Sequence, residues 1–588
     1  MPFDGITIRA LAQELNKDLL NARIDKIHQP EKDEIVLSIR QHLGGSVKLL
    51  ISANPRWARL NISSDRRPNP SKPPTFCMLL RKYLEGGKIK EIKQIGFDRI
   101  IHIRIEALDD FRDWKDKILI CEFMGKHSNI ILVNPENNLI IDAIKKYSHA
   151  VSTYREVLPG KEYVSPPAQN KINPLSANYD QFAAAMWNRG KKSLATAFFE
   201  VYSGISPYSA QLICHANGLD PQVPVDECGE YEFSKLFTYT GNLLEDITRG
   251  HFKATVFYQR NKPLEYTLID IPNTSPGVRA IETSSINQAC DDFYTAKLAI
   301  VRLESMKTNL TRNLRGFLDK AYKKKFLQEG DLQKAHDNEV YRYWGELITA
   351  YAHQLKKGDK TAVLTDFYSD QEVTIELDPR YNPIQNAQKY FKIYNKSQRS
   401  LSHLKKRMAE NQQEIDYLET LAVQIQQAES LRDITEITNE MEAQGYIKSN
   451  SHTRTKIEKS QPRRFESSDG LEILVGRNNY QNDQLTLKDS SKNDLWLHAK
   501  DIPGTHVIVR LPRGTADINQ VPDTTLEEAA ALAAYYSKAN QSDKVAVDYT
   551  FRFNVRKPAG ARPGMVIYDN HWTIMANPRA EFIDRLVE

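Results

Sequence analysis

Two stretches hold residues whose types and spacing could do chemistry. In Gly96-Phe97-Asp98-Arg99-Ile100 a carboxylate precedes a guanidinium between two strand-like runs. Such a pair can be a turn salt bridge of little energetic value. It can also be an arginine aimed at a phosphate or a base edge and held by its neighbour. The run Asp494-Leu495-Trp496-Leu497-His498-Ala499-Lys500-Asp501-Ile502-Pro503-Gly504-Thr505-His506 carries two histidines and two aspartates. Strand alternation places Trp496 and His498 on one face and disperses the others. That favours a packing or RNA-facing role over a tetrahedral metal site. The chain has no P-loop, GxGxxG, GxSxG or HExxH sequence, so these routes to nucleotide, acyl or zinc chemistry are closed. No catalytic residue, metal or cofactor is expected.

The elements that must position these residues begin with two heptad-spaced helices. Ala296, Ile300, Leu303, Lys307, Leu310, Leu314, Phe317 and Ala321 alternate steps of four and three, and so do Leu401, Leu404, Met408, Asn411, Ile415, Leu418, Ala422 and Ile425. Such a stripe needs a partner stripe, and two of them predict the arms of one antiparallel coiled coil. Two amphipathic helices on separate cores are the other reading. Lys323, Lys324 and Lys325 would close the first arm as a basic contact to RNA. A tip would follow, with a helix over 341–355 and a hairpin of 364–368 with 372–377. The second arm would run to Gly445. Asn411 and Lys307 on the stripes would specify register at some cost in stability.

The fold class is multidomain α+β, because 588 residues exceed one core. Asp4 is a good N-cap for a helix carrying Ile8, Leu11, Leu15, Leu19 and Leu20. Strand-like runs follow, and a helix from Thr75 bears Arg81 and Lys82. The pattern up to about residue 165 suggests a sandwich or half-barrel. Between two helical patterns, Tyr202-Ser203-Gly204-Ile205-Ser206-Pro207 could turn backbone N–H groups toward a phosphate, like a degenerate helix-hairpin-helix, or simply connect helices. Lys448 to Arg464 reads as a flexible linker or a basic phosphate contact. From Phe465 the pattern is α+β again, ending in an expected hairpin of Val566–Tyr568 with Thr573–Met575.

The net charge of +5 is small for this length, so any nucleic-acid surface must be a local cluster of Lys and Arg. Five scattered cysteines without a CxxC pair suggest a reducing cytoplasm. No export signal, membrane span or membrane partner is expected.

Met1-Pro2 ahead of an α+β domain resembles the layout of formamidopyrimidine-DNA glycosylases, whose processed N-terminal proline attacks the sugar. Those enzymes have a glutamate directly after it. Here Phe3 and Asp4 follow Pro2, so a glycosylase or AP lyase acting through Pro2 is only an alternative.

A second resemblance covers the whole chain. Phe3-Asp4-Gly5, Lys26-Ile27-His28-Gln29-Pro30, Pro74 to Leu80 with Arg81-Lys82, Gly96 to Ile100, and Met124-Gly125-Lys126-His127-Ser128-Asn129 are similar to the NFACT N-terminal domain. Asp494 to Val507 resembles the NFACT-R domain. The implied order is NFACT-N (1–172), a helix-hairpin-helix domain (173–287), and an antiparallel coiled coil (288–445) with a tip insertion near 326–385. A basic linker (446–464) and NFACT-R (465–588) complete it. The family implies ribosome-associated quality control: binding of the large (50S) ribosomal subunit with a stalled peptidyl-tRNA, and recruitment of alanyl-tRNA (tRNA-Ala) for alanine tailing without mRNA. It also implies a small RNA-binding co-factor of the tailing cycle, and a monomer on the ribosome. Asp4, Asp98 and Arg99 match tRNA-binding and tailing positions. Arg81, Lys82, Lys126, His127, Lys323, Lys324, Lys325, Trp496 and His498 are candidate RNA contacts. A cell-surface fibronectin-binding adhesin is the remaining alternative.

Overall fold

Alternating burial makes the early chain a sheet. The computed structural model describes residues 3–579 except 43, 66, 68, 110, 151, 168, 261, 272–275, 367, 368, 370, 449–459 and 516. Pro2 and most of the basic Lys448–Arg464 stretch therefore lie outside the described residues. Contacts divide the chain into two units, Met1–Ile300 and Val301–Glu588.

In the first unit, Asp4 caps α1 (Gly5–Leu19), and Ile8, Leu11, Leu15 and Leu19 are all fully buried at helical spacing. Then come β1 (Arg23–Glu31), β2 (Glu34–Arg40), β3 (Ser46–Ser52), β4 (Arg59–Ile62) and α2 (Thr75–Leu84). β5 (Lys88–Gln94), β6 (Ile100–Leu108), β7 (Trp114–Glu122), β8 (Asn129–Asn134) and β9 (Leu139–Ala143) complete one antiparallel sheet. Its order is β4-β3-β2-β1-β5-β6-β7-β8-β9. β1 meets β5 at the single pair Arg23 with Lys88, so the sheet is nearly parted there. Ile101, Ile103 and Ile105 face the core shared with α1 and α2. Ile100, Ile120, Ile131 and Val133 fill a second core on the opposite face.

Four helices follow, α3 (Tyr179–Trp187), α4 (Leu194–Val201), α5 (Pro207–Ala216) and α6 (Glu230–Arg249). A three-stranded sheet, β10 (Ala254–Gln259), β11 (Lys262–Thr267) and β12 (Val278–Thr283), ends the unit. Phe182, Phe198, Tyr202 and Phe233 join the same core as α1 and the large sheet. The helical segment and the sheet thus hold each other in place.

The long helix α7 (Ile286–Asp337) leads into α8 (Val340–Ala350), the hairpin β13 (Thr361–Thr365) and β14 (Glu372–Glu376), and α9 (Pro383–Gln427). In the second unit α7 and α9 run antiparallel. Leu303, Leu310, Leu314 and Ala321 share a core with Ile415, Leu418, Leu421 and Ile425. Lys307 Nζ donates to the Gln426 carbonyl at 3.0 Å, and buried Asn411 Nδ2 to the Ala321 carbonyl at 3.0 Å. Farther along, Asn338 Nδ2 donates to Ser397 Oγ at 3.3 Å.

Three expectations about this region need correction. α7 continues to Asp337, so Lys323, Lys324 and Lys325 lie along the arm and not at its end. No glycine or proline interrupts the helix between Lys325 and Gln328, and Gln328 is itself buried. Lys325 is half-buried and donates to Gln412 Oε1 at 2.9 Å. The second arm stops at Gln427, because Ser430 caps a separate helix, α10 (Leu431–Ala443), through the Asp433 N–H. The tip strand is β13, a few residues earlier than expected.

The C-terminal sheet holds β15 (Arg463–Glu466), β16 (Glu472–Val475), β17 (Leu495–Ala499), β18 (Val507–Val509), β19 (Val545–Phe551) and, after the ribbon β20 (Val555–Arg556) with β21 (Ile567–Tyr568), β22 (Trp572–Ala576). Its order is β15-β16-β18-β17-β19-β22, with the alanine-rich α11 (Asp523–Tyr535) packed on it. The expected terminal hairpin does not form: β22 pairs with β19, and β21 with β20. Among the described residues no helix is long and apolar enough to cross a membrane.

Candidate nucleic-acid interface

The Asp98-Arg99 pair sits in the turn between β5 and β6. Gly96 opens that turn at φ +58°, a left-handed conformation that glycine adopts without penalty. Gln94 at the end of β5 is buried, and its Nε2 donates to the Asp98 carbonyl at 2.9 Å and to the Gly5 carbonyl at 3.0 Å. The turn is thereby bolted to the start of α1. Phe97 is buried and meets Gly204, whose φ is +71°. A Cβ on Gly204 would stand 2.0 Å from the Phe97 carbonyl oxygen. The Gly5 N–H donates to the Gly204 carbonyl at 2.6 Å. Three backbone segments therefore touch at one point where side chains cannot fit.

Asp98 does not pair with the Arg99 side chain. Its Oδ1 accepts from the Arg99 backbone N–H at 2.7 Å. Among the described residues the Arg99 guanidinium has no ion pair, and both residues are half-buried. The turn salt bridge is replaced by a braced loop presenting a free cation. Positive charge gathers around it. Lys171 acts electrostatically with both Arg99 and Arg189, and burial, with that like charge, lowers the Lys171 ammonium. Lys192 and Arg189 both approach Glu200, at 2.6 and 3.6 Å. Sequence reasoning missed these three cations, which fall in no motif. Gly204, inside the Gly-Ile-Ser turn, was the one available signal.

Asp4 is almost wholly buried, at 2 % exposure. Its Oδ1 accepts from the Ile6 and Thr7 N–H groups, and its Oδ2 from the Ser206 N–H at 3.1 Å and Ser209 Oγ at 2.6 Å. Burial raises its carboxyl, and hydrogen bonds from Ser209, Ser206 and Thr7 oppose that rise. Asp4 caps α1 and ties it to α5. It offers no surface to RNA, which corrects its expected role as a direct contact.

Lys126 and His127 are exposed in the short turn between β7 and β8. The Phe123 N–H donates to the Arg99 carbonyl at 2.9 Å, so this turn and the Asp98-Arg99 turn occupy one end of neighbouring strands. Nearby, Lys145 Nζ donates to the Ala53 carbonyl. Arg81 stands elsewhere: its Nε donates to the Ile27 carbonyl at 2.8 Å, and Nη2 lies 3.4 Å from His28 Nδ1. It braces α2 against β1. Lys82 is exposed beside the Tyr83 ring. Among the described residues no hydrogen bond or ion pair links Arg81 to the Asp98-Arg99 turn.

In the second unit Trp496 is 1 % exposed, so its side chain is packed within the domain and is not an open RNA platform. Its ring lies 8° from parallel with that of His498, 5.8 Å away. His506, expected to be dispersed, joins them: its ring is 5.3 Å from Trp496 and 5.7 Å from His498. The approach of β18 to β17 brings it there, which strand alternation within one run does not reveal. Burial pushes His498 down to about 4 and His506 to about 3. His506 Nδ1 is 2.7 Å from Thr486 Oγ1. Among the described residues no three His, Cys, Asp or Glu side chains gather as a metal site.

Comparison with known proteins adds to this geometry. Residues 4–460 match the family model of the NFACT N-terminal and middle domains, and 461–570 that of the NFACT protein RNA binding domain. The chain is 36 % identical over 592 residues to the Rqc2 homolog RqcH of Bacillus subtilis, covering 100 % of both chains. It is 36 % identical over 591 residues to the Rqc2 homolog RqcH of Streptococcus suis, covering 99 % of both. Among solved structures, the N-terminal part of the fibronectin/fibrinogen-binding protein from Streptococcus suis is 28 % identical and covers 50 % of this chain and 99 % of its own, with a TM-score of 0.41.

Proposed function

The chain belongs to the NFACT family, and on that premise we propose that it is a ribosome-associated quality control factor. In this reading it binds the large (50S) ribosomal subunit that still carries a stalled peptidyl-tRNA. It recruits tRNA-Ala, and the nascent chain is extended at its C-terminus without mRNA and marked for degradation. The observation that carries the proposal is the full-length identity to RqcH homologues.

The geometry supports particular roles within it. Arg99 is a braced, unpaired cation with Lys171 beside it, which suits a tRNA phosphate backbone. Asp98 fixes the turn, and Asp4 fixes the helices behind it. Lys126 and His127 extend the same strand end, and Arg81 and Lys82 form a separate basic contact. The paired helices α7 and α9 hold the tip away from their base, with Lys323 and Lys324 as RNA contacts along the arm. No nucleophile is assigned to the protein: peptide-bond formation is left to the ribosome, and the factor contributes by positioning. The domain limits given by the resemblance are proposed for the same reason.

Sucrose-gradient sedimentation with sequencing of co-purified RNA tests the proposal. Enrichment of tRNA-Ala in large-subunit fractions is expected. Sedimentation free of ribosomal subunits, with no tRNA enriched, would contradict it. The adhesin reading is not favoured, and surface labelling of intact cells should leave this protein unlabelled.

A further inference from the structure

A cleft of about 430 Å³ opens in the second unit between α9 and the C-terminal sheet. Asp416 and Tyr417 line it from α9, and Trp496, His498, Asp501 and Tyr568 from the other side. Its size falls within the range of small-ligand sites.

Three features mark it as built for an occupant. The buried Trp496 side chain lines the cleft, yet among the described residues its indole N–H has no acceptor. A buried donor of this kind is open to a water or to an acceptor on an occupant. Asp501 adopts φ +53°, a left-handed turn conformation that aspartate tolerates, and its exposed carboxylate lies in the lining. Gly564, another lining residue, has φ +75°, and a Cβ there would stand 2.4 Å from Asn479 Oδ1. The loop closes on the cleft only because it carries no side chain at that point.

The chemistry of the lining narrows the occupant. His498 and Tyr568 provide aromatic surface, backed by the packed Trp496, whose ring centroid is 4.8 Å from that of Tyr568. Among the described residues no lysine or arginine lines the cleft, whereas Asp416 and Asp501 do. Two carboxylates without a cation repel a phosphate. They attract N–H donors on a flat, uncharged ring. The imidazoles of His498 and His506 are neutral near pH 7, so they add acceptors and no positive charge. Two lysines flank the lining, each in an ion pair: Lys538, whose backbone N–H donates to the Pro503 carbonyl at 2.8 Å, has its Nζ 2.6 Å from Glu419, and Lys500, next to Asp501, has its Nζ 3.6 Å from Asp548. A base inside and a backbone outside is the way proteins read unpaired RNA.

We propose that this cleft takes one unstacked nucleobase bearing an exocyclic amine, presented by single-stranded RNA. This rests on the RNA-binding reading of the C-terminal domain and adds the site and the class of base.

The test uses the full-length protein and fluorescein-labelled decamers of adenosine, cytidine, uridine and abasic ribose phosphate, at one salt concentration. Fluorescence anisotropy should show the adenosine and cytidine decamers binding about 10-fold tighter than the other two, as one amine-to-carboxylate hydrogen bond allows against uridine and stacking of one base allows against the abasic strand. Asp501→Asn alters an exposed side chain, and His498→Ala removes an aromatic wall. Each should bring the adenosine decamer to the abasic level, Asp501→Asn with an unchanged melting temperature. Equal binding of all four decamers, unaffected by either variant, would overturn the cleft assignment and leave phosphate-driven RNA binding standing. No binding of any decamer would overturn the RNA reading as well. AMP that displaced the adenosine decamer at equimolar concentration would overturn the strand as the source of the base.

Discussion

Gly204 and Phe97 meet so closely that a single methyl group on Gly204 would lie 2.0 Å from the Phe97 carbonyl oxygen. That contact sets the height of the Asp98-Arg99 turn above the helical hairpin. Gly204→Ala must either push the turn away or leave its φ of +71°. Overpacking and left-handed strain together should cost about 2 to 4 kcal/mol. The variant should melt earlier and bind tRNA at least 10-fold more weakly, by thermal melting and filter binding. Unaltered tRNA affinity in a folded variant would show that the turn does not need this support.

Asp4 acts through packing. Asp4→Ala removes the α1 cap, worth about 1 kcal/mol, and orphans the donors of Ser206 and Ser209. A total loss of about 2 to 3 kcal/mol is expected by urea unfolding. Any loss of tailing should follow the loss of folded protein. Full stability with abolished tRNA binding would restore Asp4 as a direct contact.

Glu440 gives the second unit a pH dependence. Tyr417 OH and Asn479 Nδ2 both donate to its Oε1, at 2.6 and 2.8 Å, while Oε2 has no partner among the described residues. Burial, the main cause, raises its carboxyl from the ordinary 4.5 to about 7. The folded state therefore favours the protonated form. This contribution is complete below about pH 4.5 and is lost as the pH rises through 7, with a magnitude on the order of 3 kcal/mol. Melting between pH 5 and 8 should fall more steeply for the parent than for Glu440→Gln. Parallel curves would remove Glu440 as the source.

Asn411 fixes register in the arm. Replacing it by leucine should keep or raise the melting temperature while weakening the choice of pairing. Cysteines introduced at Lys325 and Gln412, which are bonded across the arm, should cross-link completely with Asn411 present and partially with Asn411→Leu. Complete cross-linking in both would show that the apolar stripe sets register alone.

Much of this was legible in the sequence because local rules coincide with the fold. The period of Ile8, Leu11, Leu15 and Leu19, the cap at Asp4, and the two heptad stripes are decided within one turn or one helix pair. β1 escaped, because Asp25, Lys26 and His28 break its alternation and a bulge falls between Ile24 and Lys26. The end of α9 escaped because its signal is a capping serine, Ser430, and not a glycine or proline. Asp98-Arg99 stood out as a motif. What makes it a site did not, because Gly204 and Lys171 are brought to it from about 70 to 105 residues away by the shared core. For the same reason His506 was separated from Trp496 on paper and packs against it in space.

The double variant Asp98→Ala with Arg99→Ala tests the central claim most directly. Neither side chain belongs to the buried core, so folding should persist. The measurement is alanine tailing of a stalled nascent chain, with co-sedimentation on large subunits as the control. The account predicts normal subunit binding and no tail. Tails of parental length from the double variant would contradict it.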